Sequence, residues 1–398
     1  MKKILLFLAF IPLLSFGQSK KEVLFIGNSY TYYNDLPDLV KEIALSFGDT
    51  LVHESSTPGG SNFNAHSTNS QSLSKINQQQ WDYVVLQAQS QEPSFSPSQV
   101  ASDTYPYAEI LVDSILANSS CTEPLFFMTW GRKYGDQSNC QFYPPVCTYA
   151  GMQKRLRESY LDMSFLHNAS CSPVGLAWKK SIAIDSTIDL YSTDNSHPSI
   201  YGSYLAACTF YASIFKKSAV GSSYWPNAID SATAYSLQEI GSNTVLDSLA
   251  VWNIFNADFG FQQFNDSVSF TNLSSNYESV LWNFGNGITS TDENPTHTYA
   301  LNGSYTVILS AITNAACIQD TQTVSIVVNI NTAIDELKAP KQLLFVTDVL
   351  GRKTNPTNNV PLLYRYDDGT VEKMICLLYT SDAADDLLCV DLGGRRII

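Results

Sequence analysis

Val23-Leu24-Phe25-Ile26-Gly27-Asn28-Ser29-Tyr30-Thr31 carries a four-residue apolar run directly into a glycine and a set of hydrogen-bonding side chains. A run that is continuous rather than alternating is what a parallel strand buried on both faces requires. Two further runs of this kind follow, at Tyr83-Val84-Val85-Leu86 and Leu125-Phe126-Phe127-Met128. Between them Leu36, Leu39, Val40, Ile43, Ala44 and Phe47, and then Ala108, Leu111, Val112, Ile115 and Leu116, recur at helical spacing. From Glu22 to about Phe215 the alternation predicts an α/β fold: a flavodoxin-like, three-layer, doubly wound parallel sheet. Its functional groups are expected at the carboxyl ends of the strands.

Ser29 falls where the first of these strands must turn into a helix. Gly27 relieves crowding at that turn, and the Ser29 N–H is placed to face a bound acyl oxygen. The competing reading is a serine that caps the following helix. Far along the chain, Asp194-Asn195-Ser196-His197-Pro198 precedes a long helical stretch. A spacing of three on a tight turn lets the carboxylate accept from one ring nitrogen of His197 while the other faces a hydroxyl. Ser29, Asp194 and His197 thus supply a nucleophile, an orienting carboxylate and a base, set against the ordinary turn chemistry of Asp-Asn-Ser and His-Pro.

An oxyanion needs preorganised donors. Gly59-Gly60, in a loop after a predicted strand over residues 51–54, offers a backbone N–H. Gln87 and Gln89, just past Leu86, offer side-chain amides, with Gly60 and Gln89 preferred over Gln87. Glu92 and Trp130-Gly131-Arg132 also follow strand ends and are expected to shape a cleft. Arg132 either meets an anionic substrate group or forms a surface salt bridge. His53 and His66 are read as locally bonded rather than catalytic.

The blocks Gly27-Asn28-Ser29-Tyr30-Thr31 and Asp194-x-x-His197 resemble the SGNH/GDSL family of esterases and lipases, over residues 22 to about 215. The resemblance implies Ser29 as nucleophile and oxyanion donor, Gly60 as the glycine of the second block, and His197 with Asp194 as base and orienter. The first block has Gly-Asn-Ser where many members have Gly-Asp-Ser. In the third block Gln87-Ala88-Gln89-Ser90 stands in place of Gly-x-Asn-Asp, so Gln89 replaces the asparagine and keeps an amide donor on a longer arm. No metal or organic cofactor is implied.

Periodicity changes after about Asp258. Alternating segments such as Ser267-Val268-Ser269-Phe270 and Val280-Leu281-Trp282-Asn283-Phe284, separated by turns, predict a small antiparallel sandwich. Trp282-Asn283-Phe284-Gly285-Asn286-Gly287 and Asn294-Pro295-Thr296-His297-Thr298-Tyr299 resemble a PKD domain. Its immunoglobulin-like sandwich would bury Trp282 and Phe284, pack Tyr299 and Tyr305 at its edges, and make His297 structural. Residues 343–375, with Asp348-Val349-Leu350-Gly351-Arg352 and Tyr366-Asp367-Asp368-Gly369, resemble the C-terminal sorting domain of the type IX secretion system of Bacteroidetes. Residues 376–398 resemble a translated sequencing adapter.

Residues 1–17 have the basic start, apolar block and small-residue end of a signal peptide. The resulting division is 1–17 signal peptide, 18–218 hydrolase, 219–257 helical extension or linker, 258–330 PKD domain, 331–375 sorting domain and 376–398 non-native tail. The mature chain is expected to be secreted or held at the cell surface, without a transmembrane segment. A net charge of -14, with 23 Lys and Arg among 398 residues, argues against a nucleic-acid partner. Eight cysteines in an exported chain suggest disulfides. Cys140 and Cys147 bracket one loop; Cys121 and Cys171 are candidates for a second bridge, with connectivity open; Cys208 reads as a buried thiol. Cys376 and Cys389 are set aside with the tail. Five scattered histidines and no CxxC pair give no structural zinc pattern.

The expected function is a secreted serine esterase that removes acyl groups, with acetyl the expected group, from carbohydrate, with export by the type IX machinery. The alternative is a surface adhesion or glycan-binding protein with a weak or inactive hydrolase fold, for which the altered third block is the main support.

Overall fold

Val23, Leu24, Phe25 and Ile26 are all fully buried in the computed structural model, which describes residues 19–313, 319–329, 341–357, 360–377 and 388–391. Their side chains alternate between two cores. Val23 and Phe25 join one with Val40, Ile43, Trp178 and Phe210, whereas Leu24 and Ile26 join the other with Leu111, Ile115, Leu156 and Tyr160. Burial on both faces is why the run is apolar throughout.

The run forms β1 (Lys20–Ile26), followed in chain order by β2 (Thr50–Ser56), β3 (Tyr83–Leu86), β4 (Glu123–Phe127) and β5 (Ser170–Ser172). They make one parallel sheet in the order β2-β1-β3-β4-β5, the flavodoxin-like order, with helices on both faces. In this order the connections leave β1 and β3 in opposite directions, which opens a crevice at their carboxyl ends.

The helices are α1 (Ser29–Tyr32), α2 (Leu36–Ser46), α3 (Phe63–Thr68), α4 (Ser70–Ile76), α5 (Pro97–Asp103), α6 (Tyr105–Asn118), α7 (Tyr149–Leu166), α8 (Val174–Ile184), α9 (Ile200–Phe215) and α10 (Ser231–Leu246). In α2 the buried residues Leu36, Leu39, Val40, Ile43 and Ala44 form one stripe at helical spacing. Every residue of α9 from Gly202 to Phe215 is buried, because α2, α8 and α10 enclose it. Of the two readings of residues 219–257, helical extension or linker, α10 fits the first: its Ala234, Leu237 and Ile240 belong to the core that α9 fills. Among the described residues no helix is long and apolar enough to cross a membrane.

Cys140 and Cys147 are bridged. A Cys121–Cys171 bridge does not form: Cys171 is a buried free thiol on β5, and Cys121 is disulfide-bonded elsewhere. Cys208 is also a buried free thiol.

Seven strands follow, β6 (Phe259–Phe264), β7 (Ser267–Asn272), β8 (Ser279–Asn283), β9 (Thr289–Ser290), β10 (Thr296–Thr298), β11 (Gly303–Ile312) and β12 (Gln319–Val328). They form two antiparallel sheets, β10-β7-β6 and β12-β11-β8-β9. Trp282 and Phe284 fill the space between them, and His297 stacks on Phe284 at 4.2 Å. Tyr299 lies fully inside this core rather than at its edge, with its hydroxyl donated to the Phe284 carbonyl.

The chain divides after Asn329 into two compact units. The second holds an antiparallel sheet of β13 (Leu343–Thr347), β14 (Pro361–Tyr366), β15 (Val371–Leu377) and β16 (Leu388–Asp391). Part of the segment read as a non-native tail thus pairs with β15. The proposed signal peptide, residues 1–17, lies outside the described residues.

Candidate active site

The turn after β1 is held from three sides. Gln87, buried just past β3, accepts hydrogen bonds at Oε1 from the Asn28 N–H at 2.9 Å and the Thr31 hydroxyl at 3.0 Å. Asn28 caps α1 by accepting from the Tyr30 N–H, and its own amide donates to the Ser61 carbonyl at 2.8 Å. His66, also buried, donates from Nε2 to the Gly27 carbonyl at 2.8 Å, with Nδ1 accepting from the Ser72 hydroxyl. Burial lowers the pKa of His66 against the opposing pull of the Gly27 bond, so this imidazole is a neutral structural donor. A side chain on Gly27 would meet Thr31 Oγ1 at 2.5 Å and Gln87 Oε1 at 2.7 Å, which is why glycine sits there.

Ser29 is the first residue of α1, so its N–H has no acceptor within the helix. Its Oγ lies 2.8 Å from His197 Nε2. His197 Nδ1 meets Asp194 Oδ2, an acceptor only, so Nδ1 carries the proton and Nε2 is free to accept from the serine. Asp194 Oδ1 accepts from the Ser192 hydroxyl and from the Ser196 and His197 N–H groups, at 2.8 to 3.0 Å. Burial opposes the charge of Asp194, but the bonds from His197, Ser196 and Ser192 outweigh it and hold the carboxyl well below its usual range. The loop closes through Asn195 in the left-handed region and through a Ser192 N–H to His197 carbonyl bond.

Aromatic rings fix the imidazole. Tyr33 stacks on it at 4.3 Å, Tyr30 meets it edge-on at 5.5 Å, and the Tyr30 hydroxyl bonds Ser196 Oγ at 2.6 Å. Beneath Tyr30, Trp130 and Trp178 continue the stack. Trp130 is fully buried and bonds the Ser196 carbonyl; it supports the cleft from behind and does not line it.

The cleft above Ser29 is about 400 Å³. Gly60 lines it with φ +73°, a conformation that favours glycine, and Gln89 lines it from the end of β3. The Gln89 Oε1 accepts from the Gln91 and Glu92 N–H groups, and Nε2 donates to Gln91 Oε1 at 3.1 Å, leaving its second hydrogen for another acceptor. Gln87 is committed to the turn after β1. Glu92 pairs with Asn62 Nδ2 outside the cleft, and His53 pairs with Asp38.

Tyr30, Tyr33, Ser90 and Ser196 line the site but were not singled out from the sequence. Their position inside or beside the two motif blocks and Gln89 is the signal that would have found them. A larger cleft, about 560 Å³, opens at the opposite, amino-terminal edge of the sheet, beside Lys21, Tyr83 and Glu123; no serine–histidine pair lies there.

Residues 260–328 match the family model of the PKD domain. The chain is similar in structure to a DUF4886 family protein from Bacteroides uniformis, with 18% identity, 57% of this chain and 95% of that one covered, and a TM-score of 0.50. This likeness shows a shared fold. A putative SGNH hydrolase from Slackia heliotrinireducens aligns with 23% identity over 48% of this chain and 98% of that one, at a TM-score of 0.40. Thirty-two residues are 62% identical to collagenase ColA of Bacillus cereus, covering 8% of this chain and 3% of that protein.

Proposed function

We propose that the chain is a serine esterase of SGNH/GDSL type, with Ser29, His197 and Asp194 as its catalytic residues and acetylated carbohydrate as its substrate. The observation that carries this reading is the 2.8 Å contact from Ser29 Oγ to His197 Nε2, with Asp194 on the far side of the ring.

Ser29 Oγ attacks the ester carbonyl as His197 Nε2 takes its proton, and the carbonyl π electrons move onto oxygen. The Ser29 and Gly60 N–H groups and the Gln89 amide receive that oxyanion. Collapse expels the alcohol, which takes the proton from His197 and leaves an acyl-serine. Water then attacks the acyl carbon as its proton passes to His197, and collapse breaks the bond to Ser29 Oγ, which takes that proton back as the acid leaves. Asp194, ionised throughout, holds the ring and stabilises the imidazolium formed between steps. Tyr32, well exposed, and Tyr33 give the cleft aromatic walls of the kind that pack against sugar rings. Export rests on the signal-peptide pattern of residues 1–17, and surface sorting on the resemblance of residues 343–375.

The test is hydrolysis of p-nitrophenyl acetate by wild type and Ser29→Ala, with folding followed by circular dichroism. A folded variant should lose at least about 10⁴-fold in kcat. Equal turnover by both proteins would remove the serine mechanism, and no turnover by either would leave the glycan-binding reading.

A further inference from the structure

Arg132 sits on the rim of the same cleft, and its guanidinium is poorly used by the protein. Its ion pair is with Asp136 at 3.5 Å, longer than the roughly 2.7–2.9 Å of a charge-assisted hydrogen bond. Asp136 is buried and committed to its own loop: Oδ1 accepts from the Ser138 N–H, and Oδ2 accepts from Gln91 and Asn139 at 2.7 Å each. Arg132 Nε is buried and has no hydrogen-bond partner among the described residues. Nε is sealed from the cleft, so the 26% of the side chain that stays exposed leaves the terminal nitrogens as the donors a bound group can reach, and only the long contact to Asp136 uses them.

The surroundings of this exposed guanidinium end favour an anion. None of the residues lining the cleft is a carboxylate, and Arg132 is its permanent cation, in a chain whose net charge is -14. A neutral acetyl ester has no need of a guanidinium there. Resting on the esterase reading, we propose that Arg132 determines specificity by binding a carboxylate on the alcohol portion of the substrate. The substrate class is then an acylated acidic sugar of the uronate type. The planar guanidinium presents paired N–H groups that match a carboxylate, and Asp136 fixes the head group from behind without saturating it.

Two measurements on the full chain test this. The first compares kcat/KM for 4-acetoxybenzoate and 4-acetoxybenzamide, which differ in charge at one end. Wild type should favour the carboxylate, and the carboxylate-to-amide ratio should fall about tenfold in Arg132→Gln and less in Arg132→Lys. A ratio unchanged in Arg132→Gln overturns the proposal. The second is NMR titration of Ser29→Ala with D-glucuronate and D-glucose, which needs no turnover. Glucuronate should bind more tightly, and the difference should vanish when Arg132→Gln is added. Absence of hydrolysis with a surviving glucuronate preference would reject the esterase reading alone. Equal affinity for the two sugars in Ser29→Ala would reject the Arg132 proposal whatever the enzyme does, and this readout uses wild-type Arg132, so it survives misfolding of the variant.

Discussion

At the scale of single residues, Gln89 is where the chain departs most from the pattern its motifs resemble. The longer amide still reaches the cleft, but one end is spent capping the turn at Gln91 and Glu92. If the remaining N–H serves the oxyanion, Gln89→Ala should lower kcat by about 10²-fold with little change in KM. Stopped assays with p-nitrophenyl acetate would separate the two constants, and an unchanged kcat would leave the backbone donors alone. Asp194→Asn keeps the shape of the orienter while removing its charge. Its kcat should fall by about 10³- to 10⁴-fold because an amide can donate to Nδ1 and stabilise the wrong tautomer. The meeting of Ser29, His197 and Asp194 was legible because the three residues lie in two compact motifs. The bracing role of Gln87, the less favoured of the two amides, was not legible: its neighbours Asn28 and Thr31 come from another strand end, and nothing in the Gln-Ala-Gln spacing reveals that pairing.

At the scale of elements, the turn from β1 into α1 depends on contacts made by its neighbours. Gly27→Ala would drive a methyl group into Thr31 and Gln87, both of which already bond the turn, so the elbow must open. We expect a loss of about 1–3 kcal/mol in denaturant melts together with most of the proposed hydrolysis of p-nitrophenyl acetate. His66→Phe should act on the same turn from below, by leaving the Gly27 carbonyl and Ser72 without their buried partner. The strands and major helices were readable because each is buried in a way its periodicity records. The packing of α10 was less so, since a Ser- and Ala-rich helix fits a linker as well as a core; only the small-residue contact decides, with Gly241 lying where a Cβ would meet Cys208 at 2.8 Å. The candidate Cys121–Cys171 pairing failed for a related reason: the sequence reads both as loop residues, yet Cys171 lies on β5 and points into the sheet's core.

At the scale of the first unit, the sandwich is tied to the amino-terminal edge of the parallel sheet, away from Ser29. Asn276 donates to Glu123 at 3.2 Å and to the Asn253 carbonyl at 3.0 Å, and Lys216 pairs with Asp320 on β12 at 2.7 Å. Burial pushes Glu123 up to about 7, against hydrogen bonds from Ser170 and Asn276 and the charge of Lys216. Its folded pKa therefore exceeds the usual carboxylate value, and the folded state holds this proton to higher pH than the unfolded chain does. Its contribution to stability is full below about 4.5 and is lost as pH rises towards about 7. Glu123→Gln removes the titration while keeping an acceptor for Ser170 and Asn276. Relative to wild type, the variant should gain stability progressively between pH 5 and 8, by on the order of 1–3 kcal/mol at the upper end. Thermal melts of the two proteins across that range check it, and parallel curves at every pH would mean that Glu123 does not titrate abnormally. Because the link lies at the opposite edge of the sheet from the cleft, the same substitution should leave the pH profile of p-nitrophenyl acetate hydrolysis in place, separating what holds the sandwich from what drives the chemistry.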